Sequence, residues 1–278
     1  MTDHPRIAFI GAGQMGLPMV RRLVAAGHQV TAYARRAEAR EQVEAAGATA
    51  VGDPKTAVAD AEAVVVCLFS DAQLRELALG PDGFVSAMRP GALLISHVTG
   101  SPATPRALAD AGAAAGVRVV DAPVSGSAAD IDAGRLTVLL GGEAADIEAS
   151  RAVLSAYGDP LLTIGPLGSA MAVKLLNNAL FAAQVQLAGE VERVAAHFGV
   201  DLATVAPAIL ASSGRSYAMD VAGRNGSMAM VVERAGHFLY KDVAVVEEVA
   251  RELDLDLGVL GYVNREGPLT FRPRDGDE

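Results

Sequence analysis

Arg6-Ile7-Ala8-Phe9-Ile10-Gly11-Ala12-Gly13-Gln14-Met15-Gly16-Leu17 is the stretch that decides the fold. Arg6 to Ile10 reads as a short buried strand, the three glycines follow at once, and a helical pattern runs from Leu17 to Ala26. In such a turn the first glycine permits a tight bend, the second lets a pyrophosphate approach the backbone, and the third lets the helix pack closely on the strand. The helix N-terminus then holds the phosphate charge. A second apolar run at Val30 to Tyr33 completes a βαβ unit. That context separates the pattern from a structural glycine turn in some other α/β fold, and it makes Gly11, Gly13, Gln14, Met15 and Gly16 candidate dinucleotide contacts.

Working outward, strand-like runs recur at Ala63 to Phe69, Ala92 to Ser96, Val117 to Val120, Leu136 to Leu140 and Leu161 to Ile164, separated by helical segments or turns. This alternation predicts a Rossmann-type, doubly wound, mostly parallel sheet with some later strands antiparallel. From Ser169 the character changes to helix, which predicts a nucleotide-binding domain over residues 1–165 and an all-helical domain over residues 166–278. Ser169 is a candidate N-cap, and the pattern then runs without a stop to about Gly199, a helix of roughly 45 Å that joins the domains. Its apolar positions, including Leu175, Leu176, Phe181, Val185 and Leu187, exceed what a small helical domain buries alone, so a homodimer or homotetramer is expected. The stretch from Arg272 to Glu278 carries no apolar anchor and is expected to fray.

At the end of the second strand, where a carboxylate would accept from a ribose 2′-hydroxyl, the chain has Ala34-Arg35-Arg36, and no acid appears before Glu38. Two guanidiniums without that acid favour NADP over NAD, because arginine is an always-charged, bidentate phosphate partner. A pair of solvated arginines is the alternative. Composition agrees with a soluble enzyme: 278 residues at 51% hydrophobic content bury a large core, and a net charge of −10 argues against general nucleic-acid binding. Cys67, the one cysteine, excludes an internal disulfide, and the five histidines lack metal-ligand spacing, so no metal is assigned. Without a signal-like N-terminus or a membrane-length apolar run, a cytoplasmic location is expected.

Lys174 and Asn178 lie four residues apart in the long helix, hence on one face, where a proton-transferring amine and an orienting amide would serve a common substrate. After the run Val117 to Val120, Ser125-Gly126-Ser127 offers backbone amides and hydroxyls suited to a carboxylate. Each motif alone has a plain structural reading. Together, and in this order, they resemble the β-hydroxyacid dehydrogenase family, over nearly the whole length. The match runs through GAGQMGLPMVRRLVAAGHQVTAYAR, through DAPVSGS with Gly134 and Leu136, and through Gly165, Gly168, Lys174 and Asn178.

The resemblance implies oxidation of a small β-hydroxy acid, or reduction of its semialdehyde, with Lys174 as general acid and base and Asn178 as orienting group. It implies a substrate carboxylate on Ser125, Gly126 and Ser127, and cofactor contacts from Leu68, Phe69, Thr99 and Lys241. An ordinary lysine titrates near 10.4, so the base role requires desolvation or a neighbouring cation. The chain also departs from the family. Ser96-His97-Val98 replaces the usual approach to Thr99, Ser127 replaces a glycine, Ala170 replaces a glycine at the helix start, and Asp130-Ile131 stand where a glycine-alanine pair is usual. Two other readings stay open at this stage, an imine reductase of the same architecture, disfavoured by the presence of Lys174, and a nucleotide-binding scaffold without catalysis.

Overall fold

A computed structural model describes residues 4–80 and 82–272, so all of the tail after Arg272 lies outside the described residues. The strands are β1 (Ile7–Ile10), β2 (Val30–Tyr33), β3 (Thr49–Val51), β4 (Ala63–Val66), β5 (Leu93–Ser96), β6 (Arg118–Asp121), β7 (Val124–Ser125), β8 (Leu136–Gly141) and β9 (Gly158–Gly165). Between them run α1 (Gly16–Ala25), α2 (Ala37–Ala45), α3 (Pro54–Val58), α4 (Asp71–Leu79), α5 (Thr104–Gly112), α6 (Ala128–Asp132) and α7 (Ala144–Leu154). The remainder is helical: α8 (Ser169–His197), α9 (Leu202–Leu210), α10 (Tyr217–Asn225), α11 (Met228–Glu252) and α12 (Gly258–Glu266).

The nine strands of the described residues form one sheet in the order β3-β2-β1-β4-β5-β6-β8-β7, with β9 paired to β8. From β3 to β6 every pairing is parallel, whereas β8 runs antiparallel to β6 and β7 and parallel to β9. The doubly wound architecture follows from strands apolar on both sides. Because successive side chains point to opposite faces, Phe9, Val65 and Ile95 join one core layer with Leu23 and Val138, while Ile10, Val64 and Leu94 join the other with Leu74 and Leu108. The short strands β3 and β7 escape a reading by apolar runs, since two or three residues carry no periodicity to detect.

The chain divides into two compact units, one ending at Lys174 and one beginning at Leu175, so the division falls within α8. The second unit has its own core, in which Ala182, Val185 and Ala188 of α8 pack with Leu202, Ala206, Met219, Ala222 and Val231. Buried Gln186 clasps the segment after α12, accepting from the Leu269 N–H at 2.8 Å and donating to the Leu269 carbonyl at 2.8 Å. Of the apolar positions singled out on α8, Leu175 and Val185 are buried and Phe181 packs on the helical core, but Leu176 and Leu187 are 61% and 54% exposed. Among the described residues no helix is long and apolar enough to cross a membrane.

At the carboxyl ends of the parallel strands, His97 just after β5 is buried between two partners. Its Nδ1 lies 2.5 Å from the Ala122 carbonyl and its Nε2 2.8 Å from the Tyr157 hydroxyl. A carbonyl can only accept, so Nδ1 carries the proton and Nε2 accepts from Tyr157. The departure at His97 thus ties together the ends of β5 and β6 and the start of β9.

Burial lowers the His97 pKa from 6.5 to about 4, against a smaller upward pull from the Ala122 carbonyl. The folded pKa is depressed for a base, so the unfolded chain takes up its proton first as the pH falls. The contribution is complete above 6.5 and is lost between 6.5 and 4, amounting to about 3 kcal/mol. His97→Gln lacks this titration, so the stability gap between wild type and variant, measured by urea unfolding, should narrow from pH 7.5 to pH 4. A gap that stays constant would rule out a neutral buried imidazole.

Candidate active site

The first glycine loop is shaped by steric exclusion. Gly11 adopts φ +102°, and a Cβ there would collide with the Cys67 carbonyl at the end of β4. A Cβ on Gly16 would collide with the Gly11 carbonyl and stand 2.9 Å from the Phe9 ring, so these two positions admit glycine alone. Gly13 differs: a Cβ there would meet nothing within 4 Å. The turn closes through Gly13 N–H to the Gly11 carbonyl and Leu17 N–H to the Gly13 carbonyl, each at 2.9 Å. Tightness at Gly11 and Gly16 with open space at Gly13 fits a dinucleotide phosphate against the backbone.

A cleft of about 330 Å³ opens beside this loop, walled by Gly11, Gly13, Tyr33, Arg35, Arg36 and Leu68 among others. Gln73, Glu76 and Leu77 of α4 complete it, and sequence reasoning overlooked them. Arg40 fixes the end of β2, donating to the carbonyls of Ala34 at 3.2 Å and Arg35 at 2.8 Å. Of the remaining cofactor candidates, Gln14 is exposed, Met15 packs on the core, Gly16 is buried under the turn and Phe69 is 40% exposed. None of these four lines the cleft, and neither does Thr99, which is half-buried. Lys241 belongs to α11 in the second unit, where its amine stands 3.9 Å from Asp242.

The start of α8 is held by a residue to which sequence reasoning gave no role. Asp121, the last residue of β6 and fully buried, accepts the Gly168 N–H on one carboxylate oxygen at 2.7 Å and the Met171 N–H on the other at 2.8 Å. Burial raises its pKa, while the bonds from Gly168 and Met171 oppose the rise. Ser169, the expected N-cap, leaves its buried hydroxyl without a partner, so the cap comes from the sheet rather than from the helix's own sequence. Only the three-dimensional fold brings the two segments, 47 residues apart, into contact. Gly168, at φ +90°, places its backbone where a Cβ would lie 2.8 Å from the Pro102 carbonyl. Met171 Sδ accepts from the Gly100 N–H at 3.3 Å. Three of the predicted segments thus meet in the first unit: the loop from Thr99 to Pro102, the strand end that leads into Ser125–Ser127, and the start of α8.

Lys174, half-buried, follows Met171 by three residues. One turn further along α8, Asn178 is buried, its Oδ1 accepting from Asn177 at 3.2 Å and its Nδ2 without any partner. A buried amide donor without an acceptor is uncommon and costly, which suits a group that receives a ligand oxygen. Asn177, about 100° around the helix, is exposed. In the candidate substrate loop Ser125, Gly126 and Ser127 are all exposed, but the Ser127 donors are engaged: its N–H lies 2.8 Å and its hydroxyl 2.7 Å from Oδ2 of Asp130. Those hydrogen bonds, from the hydroxyl first and then the amide, hold the Asp130 carboxyl below its ordinary range.

Two family models together span nearly the whole chain. Residues 6–168 match the NAD-binding domain of 6-phosphogluconate dehydrogenase, and residues 168–265 match the NAD-binding domain of NADP-dependent 3-hydroxyisobutyrate dehydrogenase. A 3-hydroxyisobutyrate dehydrogenase of Pseudomonas aeruginosa is 33% identical over 80% of this chain and 73% of its own length. A 3-sulfolactaldehyde reductase of Escherichia coli is 32% identical over 94% of this chain and 88% of its own. In fold, the solved 3-hydroxyisobutyrate dehydrogenase of Mycobacterium tuberculosis superposes with a TM-score of 0.85 at 24% identity, covering 94% of this chain and 92% of that one.

The two glycine environments make separable demands. Gly11→Ala should destabilise the protein by about 2–4 kcal/mol, since it combines backbone strain with a backbone clash. Gly13→Ala should fold with stability within about 0.5 kcal/mol of wild type and bind dinucleotide at least ~10-fold more weakly. Thermal unfolding beside titration calorimetry separates the two effects, and undiminished binding by Gly13→Ala would remove this loop from the cofactor site.

Proposed function

Because this chain belongs to the β-hydroxyacid dehydrogenase family, an NAD(P)-dependent group of oxidoreductases, we propose that it transfers hydride between NADP and a small β-hydroxy acid or its semialdehyde, with Lys174 as general acid and base. The observation that carries this reading is the helix α8: its first turn is anchored by Asp121, and it bears Lys174 and the unpartnered amide of Asn178 one turn apart. A bound nicotinamide supplies the hydride donor or acceptor. In the oxidising direction the Lys174 amine takes the proton of the substrate hydroxyl as the carbonyl forms. In reverse its ammonium returns that proton to the developing alkoxide. Asn178 donates to a substrate oxygen and holds it toward the lysine. Anchoring the helix start limits the motion of Lys174, and small displacements of a proton-transfer group are costly.

Arg35 and Arg36, on the wall of the cleft and without a carboxylate at the end of β2, support NADP rather than NAD. The loop Ser125–Ser127 is the proposed substrate loop, and Thr99, Phe69 and Lys241 complete the proposed cofactor contacts. Exposed Leu176, Leu180 and Leu187, at 61%, 53% and 54%, support pairing of α8 with a second copy in a homodimer or homotetramer. An imine reductase is disfavoured by Lys174, and a silent scaffold by the retention of Lys174 and Asn178.

Turnover followed through NADPH absorbance, with a panel of small aldehyde acids, keto acids and cyclic imines, tests the assignment. Lys174→Ala should lower kcat by about 10²–10⁴-fold while leaving NADPH affinity within about twofold; undiminished turnover would exclude the lysine from the chemistry. For the cofactor, Arg35→Ser with Arg36→Ser should cost about 1.5–3 kcal/mol of NADPH binding with little change for NADH. Equal losses for both cofactors would show that the arginines do not read the 2′-phosphate.

A further inference from the structure

We propose that a second cleft, at the end of the sheet away from the dinucleotide loop, binds inorganic phosphate through Arg22, His28 and His4. The cleft, of about 360 Å³, lies between the C-terminal ends of α1 and α7. Because β1 and β2 are parallel, His28 just before β2 stands at the opposite end of the sheet from Gly11 just after β1. The polar side chains of the cleft are two imidazoles, His4 and His28, the Arg22 guanidinium and the Ser155 hydroxyl. Alanines supply the rest, and no carboxylate is among the described residues that line it. In a chain of net charge −10, that composition marks a local preference for an anion.

Two groups in the cleft lack the partners that their burial calls for. Arg22, half-buried, donates through Nε to the Ala156 carbonyl at 2.8 Å, yet among the described residues no acid pairs with its guanidinium within 4.0 Å. Its fixed charge and fork of donors suit a phosphate. His28 is only 7% exposed, and its Nδ1 has no partner. The ring bonds to the Pro5 carbonyl, and a carbonyl can only accept, so the ring proton is used there and Nδ1 offers a lone pair. Burial lowers the His28 pKa, the Pro5 carbonyl opposes that fall and His4 adds to it, which leaves the ring neutral at pH 7.5.

The ligand must therefore bring negative charge to Arg22 and a proton to His28. Inorganic phosphate does both, since it keeps a hydroxyl at neutral pH. Sulfate has none, and a phosphate monoester loses its last acidic proton at a pH of about 6. The helix ends do not oppose this anion with bare carbonyls: those of Leu23 and Val24 in α1, and of Val153 and Leu154 in α7, each accept a backbone N–H. Exposed His4, its ring centroid 5.7 Å from that of His28, flanks the open side.

Titration calorimetry at pH 7.5 with inorganic phosphate, sulfate and methyl phosphate tests this on the NADP-loaded protein, in which the dinucleotide cleft is filled. Phosphate should bind with a Kd of about 1 mM or tighter, at least ~10-fold more tightly than either comparator. Arg22→Gln should weaken phosphate binding at least ~10-fold and leave NADPH affinity unchanged. Arg35→Ser with Arg36→Ser should retain phosphate binding, which separates this cleft from the cofactor site. In wild type carrying 15N-labelled histidine, the His28 Nδ1 resonance should move on adding phosphate and stay in place with sulfate, a readout that depends on no substituted protein folding. No saturable phosphate binding below ~20 mM, binding unaltered by Arg22→Gln, equal affinity for phosphate and sulfate, or an unmoved His28 resonance each overturns the proposal.

Discussion

A single buried carboxylate connects the sheet to the start of the long helix α8. Asp121 sits at the carboxyl end of β6 without a cation partner among the described residues, and what stabilises its charge is the set of free amides at the start of α8. The first amides of a helix have no partner within the helix, and its dipole favours a negative group there, so each side meets a need of the other. A buried charge without such partners would be strongly destabilising. Because Gly168 also presses on Pro102 and Met171 takes a bond from Gly100, the start of α8 is fixed against the loop after β5 as well as the end of β6.

The remaining geometry of the nucleotide-binding unit follows from strands that bury both faces. Apolar side chains on either side of β1, β4 and β5 require helices above and below, and those helices bring their N-termini to the carboxyl ends of the strands. There the chain must turn sharply. Gly11 and Gly16 are the residues at which a side chain would strike neighbouring backbone, and Gly13 is the one whose face is open. Close packing and ligand access are thus divided among glycines that look alike in a linear motif. The charged groups around the cleft are placed in a similar way: Arg40 ties down carbonyls while Arg35 and Arg36 line the wall.

Much of this architecture was legible in the chain. β1 and β2 begin and end where their apolar runs do, and α8 starts at Ser169 as its pattern requires. The motif bearing Gly11, Gly13 and Gly16, the arginines after β2 and the pair Lys174 and Asn178 all stand out locally, since each depends on residues within one turn or one strand. Less legible were contacts that depend on who lies opposite. The capping role of Asp121 in place of Ser169, the partnership of His97 with Tyr157, and the contribution of α4 to the cleft all join residues distant in sequence. The engagement of Ser127 by Asp130 spans only three residues and is the capping box of α6, a local pattern that the comparison with the family's glycine at that position obscured.

By itself, then, the sequence determined the Rossmann-type sheet, the switch to helix near Ser169 and the nucleotide motif. Hydrophobic periodicity and backbone sterics act over a few residues and leave their mark in the linear order. Tertiary structure alone decided which glycine remains open and which carboxylate anchors the long helix. These depend on hydrogen-bond pairing and steric contact between specific atoms, and whether a polar group is satisfied is settled only when the chain has folded around it.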